Sequence, residues 1–216
     1  MRKTSYTITF VLVAVTFVLT ISASQRNDWL IVRGKDIFSR QITVRYGLAE
    51  RCERQVLEIP SPTGDGTIAY TDYKCRPFPA SVTDRCEKGN RYFCTSWTTA
   101  AYVSELGIGF GALALLAIVF GVSTHSRRRR IWKAVAGLVA LQAVFPMITF
   151  AIATDLYRTA KFWEFEHATL GPAWYMNIAS WVAAYVIAAG VMVVGVSANK
   201  GHRWAAGNRA YHPIEG

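Results

Sequence analysis

The sequence predicts a membrane protein: an all-α bundle of four transmembrane helices with a small disulfide-linked antiparallel β-sheet in the first extracellular loop. Three observations predict it. Hydrophobic residues make up 52% of the 216 and charged residues only 18%, against roughly a quarter charged in a soluble domain. The apolar residues fall into four runs of about twenty, the length that spans a bilayer, rather than recurring with the period of a half-buried strand or helix. All four cysteines lie between the first run and the second.

Residues 1–5 form the N-terminal segment, with Arg2 and Lys3 ahead of the first run. The first transmembrane helix is expected over 6–24. Nothing between Thr4 and Ser24 is charged, which gives about 30 Å of helix. The same stretch also reads as a cleaved leader, with Arg2 and Lys3 as its basic region and Ser22-Ala23-Ser24 as a small-residue cleavage site. Either way, the chain after Ser24 lies outside the cytosol.

The first extracellular loop is expected over 25–101. Within it, residues 28–33, 41–46, 55–59 and 67–73 have strand character, and Ile42, Val44 and Tyr46 alternate onto one face. Pro60-Ser61-Pro62-Thr63-Gly64-Asp65-Gly66 is a turn-rich connector. Cys52, Cys75, Cys86 and Cys94 read as two disulfides in an oxidising compartment, with three connectivities open. Zinc is the alternative, but no Cys-x-x-Cys pair is present. A loop of this size with few large aliphatics has little core of its own and leans on its bridges.

The second helix is expected over 102–123. Glu105 is its only charge and sits in the first turn, and Gly107 and Gly111 form a Gly-x-x-x-Gly pair suited to close helix packing. A basic cytosolic loop follows over 124–133, carrying Arg127, Arg128, Arg129, Arg130 and Lys133. The third helix is expected over 134–154. Its Gln142 is expected to face another helix, because a buried amide needs a partner, and its Pro146 removes one backbone donor. The second extracellular loop covers 155–173. The fourth helix, 174–198, is uncharged, with Ala184 and Ala188 at small-x-x-x-small spacing and Trp174, Tyr175 and Trp181 as an interfacial belt. The tail, 199–216, carries Lys200, Arg203 and Arg209 against Glu215. Short basic segments stay on the cytosolic side, so the arginine loop and both termini are expected there.

The net charge of +10 raises nucleic acid as a partner. The basic residues flank the apolar runs instead, as topology determinants do. The partner read from the charge is the lipid bilayer, not nucleic acid.

Trp29, the pair Gly47-Leu48 and then Cys52 make a spacing, Gly47-Leu48-Ala49-Glu50-Arg51-Cys52, that resembles the first extracellular loop of the claudin superfamily. The family motif is a Trp followed by Gly-Leu-Trp-x-x-Cys and a second Cys. The four-span layout, with a long first loop and a short second one, is also similar. Here the motif tryptophan is Ala49, and Cys75 follows 23 positions after Cys52, so the chain resembles a divergent member of the claudin, peripheral-myelin-protein and fungal claudin-like group. The resemblance favours a retained first helix. It implies that Trp29, Gly47, Leu48 and Cys52 fix a sheet against the bilayer surface. It also implies a plasma-membrane protein acting in adhesion or membrane organisation, as a homo-oligomer or with other membrane proteins.

Catalysts that work inside the bilayer place ionisable groups in their spans, and the expected spans offer only Glu105. His125, His167, His202 and His212 are scattered over loops and tail, and no Gly-x-Ser-x-Gly, phosphate loop or His-Glu-x-x-His is present. The sequence thus points to a non-catalytic protein without cofactor or metal. The alternatives are an accessory subunit of a transporter, channel or sensor, and an enzyme acting on lipid or glycan.

Overall fold

The computed structural model describes residues 3–35, 41–59, 67–70, 72–87, 89–122 and 125–206. The connector at 60–66 lies outside the described residues, as do Arg2, Ser123 and the tail from 207, with Arg209, His212 and Glu215. The long helices are α1 (Lys3–Gln25), α2 (Arg91–Val122), α3 (His125–Arg158) and α4 (Pro172–Asn199), followed by a short α5 (Arg203–Ala206). The strands are β1 (Leu30–Lys35), β2 (Gln41–Tyr46), β3 (Glu50–Ile59), β4 (Thr67–Tyr70), β5 (Lys74–Pro77) and β6 (Ala168–Leu170). A 3₁₀ turn covers Trp163–His167.

Two helices begin well before their apolar runs. α2 begins at Arg91 rather than near residue 102, because Phe93, Trp97 and Ala100 recur at helical spacing and are all buried. α3 begins at His125, so the arginine segment read as a loop forms the first turns of a helix. Arginine and lysine are good helix formers, and nothing in 125–133 breaks the helix.

The chain divides into two compact units. The first comprises residues 1–21, 105–147 and 178–216. Apart from Tyr6, its core is built of small and branched residues: Val13, Ala114, Ile118, Val135, Ala136, Val139, Ala143, Ala184, Ala188 and Val191. Large aliphatics face outward instead, including Ile8, Val15, Val18, Leu113, Leu116, Val119, Val186 and Val193, each more than half exposed. In water this pattern is inverted. In lipid it is expected, since tails solvate large apolar side chains and small residues let helices approach. Together with four helices long and apolar enough to cross a membrane, it makes the chain a multi-pass integral membrane protein.

Polar groups inside this unit bond to one another. Ser180 Oγ donates to the Thr16 carbonyl at 3.0 Å and lies 2.6 Å from Thr20 Oγ1. Gln142 Nε2 donates to Thr16 Oγ1 at 3.3 Å, so the amide sits on a neighbouring helix. A Cβ at Gly107 would lie 2.9 Å from Pro146 Cδ, and one at Gly111 would lie 2.7 Å from Phe17 Cδ2 and 3.1 Å from Gln142 Cδ. Gly109 has open space. Gly111→Ala is therefore expected to lower the unfolding midpoint in detergent by an overpacking cost of about 1–3 kcal/mol. Gly109→Ala should leave it unchanged or raise it slightly, through better helix propensity. Equal effects at the two sites would contradict this packing.

The second unit comprises residues 22–104 and 148–177. Its antiparallel sheet runs in the order β4-β3-β2-β1-β6, with β5 also pairing β3. Five strands come from the first loop. The sixth comes from the second loop and closes the β1 edge through Leu30–Leu170, Ile31–Thr169 and Val32–Ala168. The pairings Leu30–Tyr46, Val32–Val44, Tyr46–Arg51 and Val44–Glu53 set one face; Ile31–Arg45, Arg33–Thr43, Arg45–Cys52 and Thr43–Arg54 set the other.

Candidate functional site

The motif residues converge at the root of the sheet. The Trp29 ring is fully buried, and its Nε1 donates to the Ala23 carbonyl at 2.7 Å. That carbonyl is one of the last four of α1, which lack a partner within the helix. The Trp29 N–H donates to the Tyr46 carbonyl at 2.9 Å. Gly47 closes the β2–β3 turn by donating its N–H to the Glu50 carbonyl at 2.8 Å, and its own carbonyl accepts Trp97 Nε1 at 3.2 Å. A Cβ at Gly47 would lie 2.9 Å from both the Arg26 carbonyl oxygen and Asn27 Cα, so close backbone approach requires glycine here. Leu48 and Cys52 are buried beside it, and Asn27 Nδ2 donates to Cys52 Sγ at 3.1 Å. Gly171 makes a similar approach from the second loop. Its N–H donates to the Trp29 carbonyl at 2.8 Å, and a Cβ there would collide with the Asp28 carbonyl.

Two disulfides join the loop: Cys52–Cys75 and Cys86–Cys94. Cys52 and Cys75 face each other directly across β3 and β5. Glu50 lies near this pair, but bonded sulfurs offer no thiolate to a metal. Cys86–Cys94 ties the turn after β5 to the first turn of α2. The turn itself is held by Arg76, which grips Asp84 with two nitrogens at 2.9 and 2.6 Å. Burial pushes the Asp84 carboxyl up, but Arg76 and the Ala80 N–H outweigh it and hold it below the usual carboxylate range.

An aromatic core packs against Tyr46. Tyr46, Phe78, Phe93, Trp97, Phe162 and Phe165 form mutual ring contacts with centroids 4.7–6.3 Å apart. Beside it, two concavities open on the same face of the sheet. One, of about 460 Å³, has an apolar floor of Val32, Ile42 and Val44 under Trp163 and Glu164 of the 3₁₀ turn. The other, of about 310 Å³, is lined by Glu53, Gln55, Asp72, Lys74 and Arg76. Arg51 lines both. It lies 3.0 Å from Glu164 and 3.9 Å from Glu53, and stacks 5.2 Å from the Tyr46 ring centroid. Glu164 thus brings the second loop against Arg51 of β3.

Burial pushes the Glu164 carboxyl up to about 7. A carboxyl whose pKa is raised on folding binds its proton more tightly in the native state. Its contribution to stability is complete below its ordinary value of 4.5 and is lost as pH rises through about 7. The detergent-solubilised protein is therefore expected to unfold at a lower temperature at pH 8 than at pH 5. Glu164→Gln should flatten that difference, and a variant retaining the full pH dependence would contradict the assignment.

No protein-family model matches the chain, and no curated protein matches it.

Of the residues singled out in the sequence, Trp29, Gly47, Leu48 and Cys52 come together at one point. Gly107, Gly111, Ala184 and Ala188 lie within the helical unit. Arg127, Arg128, Arg129 and Arg130 lie on the first turns of α3, with side chains outside the described part, and Lys133 is exposed on the same helix. Glu105 and His167 are exposed. The Arg51–Glu164 pair escaped sequence reading. The one available signal was alternation, which puts Arg51 on the face opposite to Cys52 and beside Tyr46.

Proposed function

We propose that this chain is a non-catalytic, claudin-like protein of the plasma membrane, with both termini cytosolic. It acts in membrane organisation, adhesion or assembly through lateral contacts and contacts of its external loops. What carries the reading is the convergence of Trp29, Gly47, Leu48 and Cys52 at the root of one disulfide-bonded sheet. Residues spaced as in the claudin motif there do a single job: they bind the end of α1 to the sheet and leave its faces and concavities free for partners. The non-catalytic part is supported by Thr16, Thr20 and Ser180, whose hydroxyls are spent on joining helices. The basic segment at 127–133 supports a cytosolic side for the α2–α3 connection.

Cross-linking in native membranes, followed by mass analysis under non-reducing conditions, tests this. Homo-oligomers, or complexes with several membrane proteins, are expected. A strictly monomeric species would contradict the proposal, and recovery with one stoichiometric larger protein would move the function to that of an accessory subunit.

A further inference from the structure

α3 meets the bilayer with a dense positive charge. Its span begins at Ile131, and Arg127, Arg128, Arg129 and Arg130 occupy the helical turn directly before it. Lys133 sits in the first turn of the span and is exposed, with its Nζ 5.8 Å from the Trp132 ring centroid. The sequence has no acidic residue between Glu105 and Asp155, so this part of the chain brings no carboxylate of its own.

The burial pattern of α3 sets how this end of the helix faces. Trp132, Val135, Ala136, Val139 and Ala143 are buried and form one helical stripe. Lys133, Ala134, Gly137 and Leu141 fall on the opposite face and are exposed. A Cβ at Gly137 would meet nothing within 4 Å. Helical register carries Arg127 and Arg130 onto this same face, seven and four residues before Ala134. The face is therefore a column, with basic residues at the membrane boundary and an apolar stripe continuing into the bilayer. A phospholipid has the same order along its axis, a charged head and then apolar tails. A soluble anion would use only the basic end, so the apolar continuation selects a lipid. Basic residues beside a span attract anionic headgroups by their charge and nearness alone, without a fixed hydrogen-bonding geometry. We propose that the face of α3 carrying Arg127, Arg130, Lys133, Ala134, Gly137 and Leu141 binds an anionic phospholipid, its phosphate at the basic end and a tail along the apolar stripe. The site requires that α3 crosses a bilayer and does not depend on the claudin-like reading.

The test uses the full chain in neutral detergent, titrated with dioctanoyl phosphatidic acid and, separately, with dioctanoyl phosphatidylcholine. Bound lipid is counted by native mass spectrometry. Phosphatidic acid is expected to bind at a concentration lower by about fivefold or more, the effect of one basic residue beside an anionic surface. Arg127→Gln, Arg130→Gln and Lys133→Gln combined should remove that preference. Lys133→Gln alone should reduce it, and carries the test if the combined variant does not fold. Arg158→Gln with Lys161→Gln, two exposed cations at the other end of α3, should leave it intact. Glycerol 3-phosphate, a headgroup without tails, should not displace the bound lipid. Equal binding of the two lipids, an unchanged preference in the Lys133 variants, the same loss in the Arg158 and Lys161 variant, or displacement by glycerol 3-phosphate would overturn the proposal.

Discussion

Trp29→Ala is expected to destabilise the sheet-bearing unit by about 3–5 kcal/mol, the range for truncating a large buried aromatic. The ring is fully buried in the hydrophobic core of the sheet-bearing unit, so its removal leaves a cavity there. The indole also donates to the Ala23 carbonyl at 2.7 Å. Without it, a carbonyl in the last turn of α1 is buried unpaired, at a cost of about 1–3 kcal/mol. Trp29→Phe separates the two parts, because it keeps most of the packing and loses the donor. The expected order of unfolding midpoints in mild detergent is parent, then Trp29→Phe, then Trp29→Ala. A Trp29→Ala protein with the parent's midpoint would show that the tryptophan does not anchor the sheet.

The paired substitution Cys52→Ser with Cys75→Ser is expected to cost about 2–5 kcal/mol, the range for a native bridge in a small extracellular domain. The bridge closes a separation of 23 residues, against 8 for Cys86–Cys94, and longer loops lose more entropy on closure. Its position adds to the effect. Among the described residues β5 pairs with β3 alone, and the bridge lies within that four-pair register. β5 leads into Phe78 of the aromatic core and the Arg76–Asp84 grip, so its release should expose residues 72–87 to protease. Removing both cysteines avoids a reactive free thiol. Peptide mapping without reduction should recover Cys52 linked to Cys75 and Cys86 linked to Cys94. Any other pairing would contradict the sheet register, which puts Cys52 and Cys75 face to face.

The four spans were legible because a bilayer imposes a length and a composition that no other environment demands. β2 was legible to the residue, since Ile42, Val44 and Tyr46 alternate under a half-buried face. The extension of α2 back to Arg91 was harder to see, because Phe93 and Trp97 answer to an aromatic core assembled from both loops. β6 is three residues long, too short to show a period, and exists only because β1 offers it an edge. The disulfide pairing followed from register, which four cysteine positions do not encode. The Arg51–Glu164 pair joins residues whose proximity depends on the completed sheet. In the sequence, Arg51 is only a spacer between Leu48 and Cys52.

Everything rests on four helices crossing a bilayer with the sheet-bearing loop on the oxidising side. Single cysteines introduced at Lys161 and at Lys133, both exposed, test this with a membrane-impermeant maleimide on intact cells. Lys161→Cys should label without permeabilisation, and Lys133→Cys only after it. Labelling of Lys133→Cys from outside intact cells would contradict the account.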